Sequence, residues 1–313
     1  MDTSLEEFWS RSDVRRQLDT LIEGALEEDR VSSDGATVIG FGEGLDPARA
    51  TITAGEPGVI CGSEGAVRVF RAIDPNIRVI DRRRDGEAVQ AEDVVLVIEG
   101  TIRALLGAER SALNWLGYLS GIASRTADWV ARAPGVAILD TRKTLPGWRD
   151  FSKHAVRAGG GTNHRRDLEE FPMFKENHRD LFRKGRMPAG ATPDEEMKAL
   201  VAAHRNSPFA DRPLEIEVED YESFRACLES GVDWILIDNQ TPDEIRRWIE
   251  RGEREIENLP ADWKHRLEAS GGVTGETVAS YAEVGVGRIS IGSLTHSVPS
   301  LDLSLHVEWI ESS

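Results

Sequence analysis

The chain has 313 residues, with 38 lysines and arginines against 55 aspartates and glutamates, so its formal net charge is −17. A length of this order suggests two domains or one large barrel with an appendage. The hydrophobic fraction of 40% is ordinary for a globular protein and argues against disorder. The acidity disfavours nucleic acid as a bulk partner.

Cysteine content and hydropathy narrow the class of protein further. Two cysteines, Cys61 and Cys227, exclude a disulfide scaffold and a thiolate zinc cage and are typical of a reducing compartment. No apolar run approaches the roughly 18 residues that a membrane-spanning helix needs. The acidic first ten residues lack the basic-then-apolar order of a signal peptide. The sequence therefore predicts a cytoplasmic protein with no membrane partner.

The first third of the chain predicts a small α+β domain. Residues Val14–Glu28 carry leucine and isoleucine at helical spacing and predict an amphipathic helix. Short β-rich runs follow, separated by turns rich in glycine and aspartate, with one predicted helix at Glu64–Ile73. The predicted strands are Thr37–Ile39, Ala50–Ala54, Arg78–Ile80 and Val94–Ile98.

A long helix is predicted from about Ala108, ending before Pro134, and strands and helices alternate beyond it. The predicted strands are Val136–Leu139, Pro172–Phe174, Leu214–Glu219, Trp234–Ile237, Leu267–Ala269 and Arg288–Ile291. The predicted helices are Pro193–His204, Tyr221–Ser230, Pro242–Arg251 and Gly275–Val284. Such alternation implies a parallel sheet, either closed into a barrel or open and doubly wound. Arg179–Arg212 is predicted to be an insertion of irregular composition.

Basic residues are concentrated in one stretch of this second part. Between Asp140 and Arg186, twelve lysines and arginines accompany seven acidic residues, giving a local charge of +5 and leaving −22 for the remainder. A solvated charged surface and a site for a small anionic ligand are the alternatives.

Almost every predicted strand of the second part ends in a reactive or anion-binding group. The residues after the strands are Asp140–Lys143, Lys175–His178, Asp238 with Asn239, Ser270–Gly272, and Gly292 with Ser293. In an α/β barrel the active site lies at the carboxyl ends of the strands, where the loops converge. The glycine turns after the last two strands, each predicted to lead into a helix, favour a phosphate site, and ordinary turn glycines are the alternative.

Two further patterns indicate ligand binding. Glu215, Glu217 and Glu219 alternate along one strand and share one face, which is costly unless they meet cations or a metal. With Asp238 they predict a Mg²⁺ site, and a solvated edge strand is the alternative. The triple glycine Gly159–Gly161 precedes His164 and Arg165, which offer donors to a carboxylate or phosphate.

Taken together, these segments resemble the quinolinate phosphoribosyltransferase family from about residue 15 to the C-terminus. The matching segments are Glu109–Asn114, Asp140–Thr144, Pro146 with Gly147, Gly159–Arg165, Lys175–His178, Glu215–Glu219, Asp238 with Asn239, Ser270–Gly272 and Gly292–His296. The resemblance implies an α/β fold with an N-terminal α+β sandwich domain, residues 1–108, which the segment 300–313 rejoins. Residues 109–299 would form an incomplete α/β barrel of about seven strands.

The resemblance also implies a reaction and a set of roles. Phosphoribosyl pyrophosphate and quinolinate would give nicotinate mononucleotide, CO₂ and pyrophosphate in NAD biosynthesis. Substrate binding falls to Arg110, Arg142, His164, Arg165, Ser270, Gly271, Gly272, Gly292, Ser293 and His296. Catalysis falls to Lys143, Lys175, Glu217 and Asp238, of which Glu217 and Asp238 would also hold Mg²⁺. A homodimer, or a larger assembly of dimers, is implied, with Arg110 reaching into the neighbour's site.

The stretch 169–179 departs from the family pattern. Pro172 stands in a run that is normally aliphatic, Glu176 replaces the usual aspartate, and Arg179 replaces a usual aliphatic residue. A proline inside a strand removes a ladder donor. The departures indicate either a reshaped substrate site or drift in a true quinolinate enzyme. Two alternatives therefore stay open: a paralogous phosphoribosyltransferase for another aromatic acid, and a non-catalytic sensor that binds phosphoribosyl pyrophosphate or a nucleotide.

Overall fold

The computed structural model of the chain describes residues 4–310, which divide into two compact units. Unit 1 comprises the residues up to Asp128, the segment Lys143–Gly161, and the residues from Ser293 onward. Unit 2 comprises Trp129–Arg142 and Thr162–Gly292.

Helices and strands alternate through most of the described chain. The helices are α1 (Leu5–Phe8), α2 (Ser12–Glu28), α3 (Gly35–Phe41), α4 (Ser63–Ile73), α5 (Ile102–Arg132), α6 (Arg149–Ala158), α7 (Glu176–Arg186), α8 (Pro193–Arg205), α9 (Tyr221–Ser230), α10 (Pro242–Glu255), α11 (Val278–Glu283) and α12 (Ser293–His296). The strands are β1 (Pro47–Ala54), β2 (Gly58–Val59), β3 (Arg78–Arg82), β4 (Ala88–Val89), β5 (Val94–Thr101), β6 (Ala137–Leu139), β7 (Met173–Phe174), β8 (Glu215–Val218), β9 (Trp234–Asp238), β10 (Leu267–Ser270), β11 (Arg288–Ser290) and β12 (Leu303–Trp309). None of the helices among residues 4–310 combines the length and the apolar character that a membrane crossing needs.

Unit 1 is built on an antiparallel sheet with the strand order β12-β1-β5-β3. Along β1 the buried residues alternate with more exposed ones, so one face of the strand joins the core. The last strand, β12, pairs with β1 from Ala48↔Trp309 to Ala54↔Leu303. The C-terminal segment therefore completes the sheet that the first hundred residues begin.

One predicted strand of unit 1 is wrong. Thr37–Ile39 lies in α3, because the Asp34 side chain accepts hydrogen bonds from the Ala36 and Thr37 amides and caps the helix. A cap of this kind stabilises a helix start by about 1 kcal/mol, enough to override the β preference of a short branched run. The other predicted strands of this unit are confirmed as β1, β3 and β5, and the two predicted helices as α2 and α4.

The long helix α5 begins at Ile102, earlier than the predicted Ala108. The Thr101 hydroxyl accepts a hydrogen bond from the Ala104 amide and so caps the earlier start. The apolar residues that recur at three- and four-residue steps along this helix are buried, namely Leu113, Leu116, Leu119, Ile122 and Ala123. The predicted domain boundary between residues 108 and 109 lies inside the helix and stays a prediction.

Unit 2 is a parallel α/β unit whose sheet has the order β6-β11-β10-β9-β8-β7. All of its predicted strands are confirmed with small shifts at their ends, and the predicted helices are confirmed as α8 to α11. Among residues 4–310 this sheet has six strands rather than about seven. The position beside β6 holds a single parallel bridge, Leu139↔Thr162. The predicted α/β class is therefore confirmed.

The predicted insertion of irregular composition, residues 179–212, contains regular structure, including the predicted helix Pro193–His204. It continues α7 and then forms α8, whose start is fixed by reciprocal hydrogen bonds between Thr192 and Glu195. Helix α8 packs against α9. The strand before α7 is short, because Pro172 has no amide hydrogen and β7 is reduced to Met173–Phe174.

Candidate active site

The predicted site residues of unit 2 lie at the carboxyl ends of its parallel strands. Lys175 directly follows β7, Glu217 lies near the end of β8, Asp238 ends β9, and Ser270 ends β10. Gly292 follows β11. Since the carboxyl ends of parallel strands meet at one edge of the sheet, these residues share that edge.

Lys175 and Glu217 form an ion pair at this edge. The Lys175 ammonium donates a short hydrogen bond to Glu217 Oε2, and the Glu176 amide approaches Glu217 Oε1 at 3.4 Å. The Lys175 side chain is 47% exposed, whereas that of Glu217 is 8% exposed. A buried carboxylate thus holds an ammonium group that remains open to a ligand.

Carboxylates crowd the same region. Partial desolvation raises the pKa of Glu219, and the neighbouring carboxylates of Glu176, Asp238 and Glu217 raise it further. A divalent cation would relieve this repulsion, and hard carboxylate oxygens are the ligands that Mg²⁺ prefers. The donor set at Glu217 and Asp238 therefore fits the predicted metal.

A buried charge cluster lies inside unit 2. The fully buried carboxylates of Glu215 and Glu268 both approach His164 Nε2, each at 3.2 Å. On their other side, Arg288 places Nη2 3.1 Å from Glu215 and Nε 2.7 Å from Glu268. The Arg288 guanidinium also lies 3.5 Å from the centre of the Trp234 ring. Two cations therefore balance two buried carboxylates.

The protonation of His164 follows from this cluster. Burial lowers the pKa of His164, but the hydrogen bonds and charges of Glu215 and Glu268 raise it to about 9. The Arg165 amide nitrogen lies 2.8 Å from Nδ1 and works in the opposite direction, because only a neutral ring accepts there. Burial and the charge of Glu268 raise the pKa of Glu215, whereas the burial of Glu268 is outweighed by His164 and Arg288, which lower its pKa to about 2. The Glu268 carboxylate therefore outweighs one amide dipole, and the ring is charged at neutral pH.

The loop that carries His164 and Arg165 is fixed by the buried carboxylate of Asp140. Asp140 accepts a hydrogen bond from the His164 amide at 3.0 Å and one from the Asn163 side chain at 2.5 Å. Arg165 Nη1 donates to the Phe171 carbonyl at 3.1 Å. The predicted anion-binding loop is therefore a rigid element of unit 2.

Arg142 and Arg165 form an electropositive pair. Burial lowers the pKa of Arg165, and the positive charge of Arg142 lowers it further. Arg142 Nε is buried and makes no hydrogen bond within the described residues. A buried donor without a partner, next to a second guanidinium, is suited to a carboxylate, which accepts such donors in pairs.

The two predicted phosphate turns differ in their geometry. Gly271 and Gly272 have φ values of +82° and +65°, which favour glycine, and a Cβ on Gly271 would lie 2.2 Å from Asn239 Oδ1. This turn does not lead directly into a helix as predicted, because α11 begins only at Val278. The second turn, at Gly292, leads straight into α12.

Four predicted site residues belong to unit 1, namely Arg110, Lys143, Ser293 and His296. The Lys143 carbonyl accepts a hydrogen bond from the Thr295 hydroxyl at 2.8 Å, which ties Lys143 to α12. His296 Nδ1 lies 2.6 Å from the Ser297 hydroxyl. Arg110 lies exposed on α5.

Sequence reasoning missed Glu268 and Arg288. The two residues are register partners on β10 and β11, so their side chains leave the sheet side by side. A signal was present in the sequence: Glu268 and Arg288 are charged residues within otherwise apolar strands of a buried sheet, where charges need partners. The partners themselves are far apart in the chain, so spacing does not reveal them.

Comparison with known proteins places the chain in a family. Residues 35–120 match the model of the N-terminal domain of quinolinate phosphoribosyl transferase, and residues 122–306 match that of its C-terminal domain. The probable nicotinate-nucleotide pyrophosphorylase (carboxylating) of Bacillus subtilis is 36% identical over 294 residues, which cover 93% of each chain. The nicotinate-nucleotide pyrophosphorylase (carboxylating) of Mycobacterium leprae is 36% identical over 277 residues, 84% of this chain and 91% of that protein.

Solved structures give the same result. The crystal structure of NadC from Streptococcus pyogenes superposes with a TM-score of 0.77 at 32% sequence identity. The alignment covers 94% of this chain and 99% of that one. Both halves of the sequence and the full fold therefore agree, and the chain belongs to the quinolinate phosphoribosyltransferase family.

Proposed function

We propose that the protein is a nicotinate-nucleotide pyrophosphorylase (carboxylating). It transfers the phosphoribosyl group of phosphoribosyl pyrophosphate to quinolinate and releases CO₂ and pyrophosphate, giving nicotinate mononucleotide for NAD biosynthesis. The observation that carries the proposal is the Lys175–Glu217 ion pair at the carboxyl edge of the parallel sheet, whose ammonium stays open to a ligand. The buried Arg142 Nε, which makes no hydrogen bond within the described residues, supports a carboxylate-binding role for its guanidinium group.

The chemistry follows from this distribution of charge. The guanidinium groups of Arg142 and Arg165 hold the two carboxylates of quinolinate, and the His164 ring, held by Glu215 and Glu268, positions the loop that carries Arg165. The pyridine nitrogen attacks C1 of the ribose while pyrophosphate departs through a cationic transition state. Carboxylates fixed near the ribose stabilise that cation, and Lys175 stabilises the departing anion. The resulting pyridinium ring stabilises the carbanion left when the 2-carboxylate departs as CO₂, and this carbon then takes a proton from water to give nicotinate mononucleotide.

Glu217 and Asp238 are the residues that would hold Mg²⁺ in this scheme. The metal would supply positive charge to the phosphate oxygens of the substrate. The turns at Ser270–Gly272 and at Gly292 with Ser293, together with His296, would bind the 5′-phosphate. Lys143 would lie between the pyridine acid and the pyrophosphate.

A coupled assay tests the reaction. Purified protein is mixed with quinolinate, phosphoribosyl pyrophosphate and Mg²⁺, and nicotinate mononucleotide and CO₂ are followed. Turnover that needs all three components is expected. A folded protein that binds phosphoribosyl pyrophosphate but leaves quinolinate unchanged would contradict the proposal and favour the paralogous enzyme for another aromatic acid. In the same assay Arg142→Ala is expected to abolish productive quinolinate binding, and near-normal turnover by this variant would refute its role.

We also propose a homodimer, or a larger assembly of dimers, in the cytoplasm, with Arg110 completing the site of a second subunit. Its exposure on α5 supports this role. Arg110→Ala and Lys175→Ala proteins, each inactive, are expected to regain partial activity when mixed and allowed to exchange subunits. Absence of recovery despite proven exchange would refute the shared site.

A further inference from the structure

Arg179, in the first turn of α7, is buried among polar partners from three elements. Its Nε and Nη2 atoms donate to the two oxygens of Glu196 on α8 at 3.0 and 3.1 Å. Nη2 also donates to the Ser223 hydroxyl on α9 at 2.9 Å. The remaining nitrogen, Nη1, donates to the main-chain carbonyl of Glu217 at 3.0 Å. The Arg179 guanidinium therefore links two helices to the strand that carries a proposed catalytic carboxylate.

The position of Lys175 relative to Glu217 needs such a link. Strand β7 pairs with β8 only through Met173↔Glu215 and Phe174↔Ile216. Lys175 comes after the last pair, so ladder hydrogen bonds do not align it with Glu217. A strand this short only weakly fixes the register of the residues beyond its end.

The Arg179 side chain supplies the missing alignment at the Glu217 end. Lys175 is held at the start of the same helix, α7, by the ordinary helical hydrogen bond from the Arg179 amide to its carbonyl, at 3.0 Å. The Arg179 side chain fixes the carbonyl of Glu217, the residue that carries the carboxylate. Glu196 is 1% exposed and neutralises the guanidinium group. Its two oxygens hold the guanidinium in a bidentate contact, which the ammonium group of a lysine could not form.

We propose that Arg179, together with Glu196, is a positioning residue that sets the contact between the Lys175 ammonium and the Glu217 carboxylate. It replaces the alignment that a longer β7 would provide. The stretch 179–212 is then a support for the active edge rather than a surface insertion. This inference rests on the proposed function for its kinetic consequence, but its structural consequence is independent of the reaction.

The informative variant removes both charges together. Arg179→Met alone leaves the buried Glu196 carboxylate facing the half-exposed Arg183, whose Nε lies 3.8 Å away, in place of its two-point partner. The effect of this variant would therefore mix misfolding with misalignment. Arg179→Met/Glu196→Leu removes the ion pair as a whole, a change that is often neutral or stabilising for a fold. Arg179→Lys keeps the positive charge but loses the bidentate contact with Glu196, so we expect it to keep only part of the alignment of Lys175 with Glu217.

Arg225→Met is the matched control. Arg225 on α9 pairs with Asp194 on α8 at 2.7 Å, so it also joins these two helices. Within the described residues no hydrogen bond connects Arg225 to Glu217. A loss that arises merely from loosening the helices would appear in this control as well.

Two measurements decide the proposal. In crystal structures of the double variant, the Lys175–Glu217 contact is expected to be lost or lengthened, and to persist in Arg225→Met. In steady-state assays, kcat of the double variant is expected to fall about 10- to 100-fold, because small misplacements of reacting groups have effects of this size. The apparent melting temperature and the affinity for phosphoribosyl pyrophosphate should change far less.

The outcomes separate this inference from the proposed function. A double variant that keeps the Lys175–Glu217 contact, or an unchanged kcat in an active enzyme, would overturn the positioning role. Absence of quinolinate turnover by the unaltered protein would count against the proposed function instead. The crystallographic comparison would then decide the positioning role by itself.

Discussion

Two buried histidines, His154 in unit 1 and His164 in unit 2, both face carboxylates, yet their surroundings differ. His154 Nε2 lies 2.7 Å from Asp85, and the Phe8 ring stacks on its imidazole at 4.0 Å. The Asp85 carboxylate also accepts hydrogen bonds from two neutral donors, the Trp9 indole and the Gly62 amide, each at 2.8 Å.

The carboxylates around His164 are instead balanced by charge. Arg288 contacts both carboxylates. Arg165, the residue after His164, is in turn affected by the positive charge of Arg142. Burial of a histidine against a carboxylate is therefore no sign of function by itself. The Asp85 carboxylate contacts one histidine and two neutral donors and forms a closed structural element, whereas the cluster that also contains Arg288 tunes the electrostatics of the groups beside it.

Removal of Arg288 should have the largest effect on stability. Arg288→Met leaves Glu215 and Glu268 with only His164 for balance, so the free energy of unfolding is expected to fall by about 3–5 kcal/mol. Chemical denaturation measures this change. Arg251→Met is the control, because Arg251 also lies over an aromatic ring and pairs with a carboxylate, but at the surface. A similar loss in both variants would contradict the distinction between buried and exposed pairs.

Matched substitutions at the two histidines test the comparison directly. His164→Asn is expected to lower kcat/KM for quinolinate about 100-fold, because the ring would no longer position the loop that holds the substrate acids. His154→Asn should retain most of the activity, since its partners lie outside the proposed site residues. Steady-state kinetics on folded variants, verified by melting temperature, decide the question. Equal losses of kcat/KM in the two variants would contradict the proposed difference between His164 and His154.

The contribution of the His164 cluster to the stability of the protein should decrease at alkaline pH. The pKa of His164 in the folded state, about 9, lies above its value of roughly 6.5 in an unfolded chain. Its contribution is therefore complete below about pH 6.5 and disappears as the pH rises through 9. The difference in unfolding free energy between the unaltered protein and His164→Gln is expected to shrink by about 3 kcal/mol from pH 6 to pH 10. A constant difference would show that the ring is neutral throughout.

The contribution of the Asp85–His154 pair to stability should change at acidic pH, and by less than that of the His164 cluster. Burial alone would raise the pKa of Asp85, but the hydrogen bond and charge of His154 lower it overall. A lowered pKa contributes stability above the unfolded value near 4, and this contribution is lost as the pH falls through the folded value. Asp85→Asn is expected to cost about 1 kcal/mol at pH 7 and less at pH 3, as urea titrations would show. A cost that grows on acidification would contradict this assignment.

The sequence predicts the framework of the molecule well, because the framework depends on local patterns. Alternating apolar runs and helical spacing locate the strands of unit 2, and the polar residues after them locate the active edge. The acidic face of β8 was predicted to need cations, and Glu215 and Glu217 meet them, while Glu219 stays exposed. The Thr37–Ile39 strand failed because one capping aspartate outweighed the propensity of a branched run.

The partners in the charge networks were not predictable in the same way. Arg179 meets Glu196 across a loop, and Arg288 meets Glu215 from a distant strand. Such pairs depend on how helices and strands pack, which single-sequence spacing does not encode. Arg179 stood out in the sequence only as a departure from the family pattern, and its role became visible once the insertion folded into α8.

The return of β12 to the first sheet has a consequence for biosynthesis. Strand β1 precedes the whole of unit 2 in the chain, but its partner, Leu303–Trp309, follows unit 2. On the ribosome, the edge of β1 that pairs with β12 therefore lacks its hydrogen-bond partners while unit 2 is being synthesised. Such an edge is a template for pairing with another chain. Leu303–Trp309 closes this edge only after unit 2 has been synthesised.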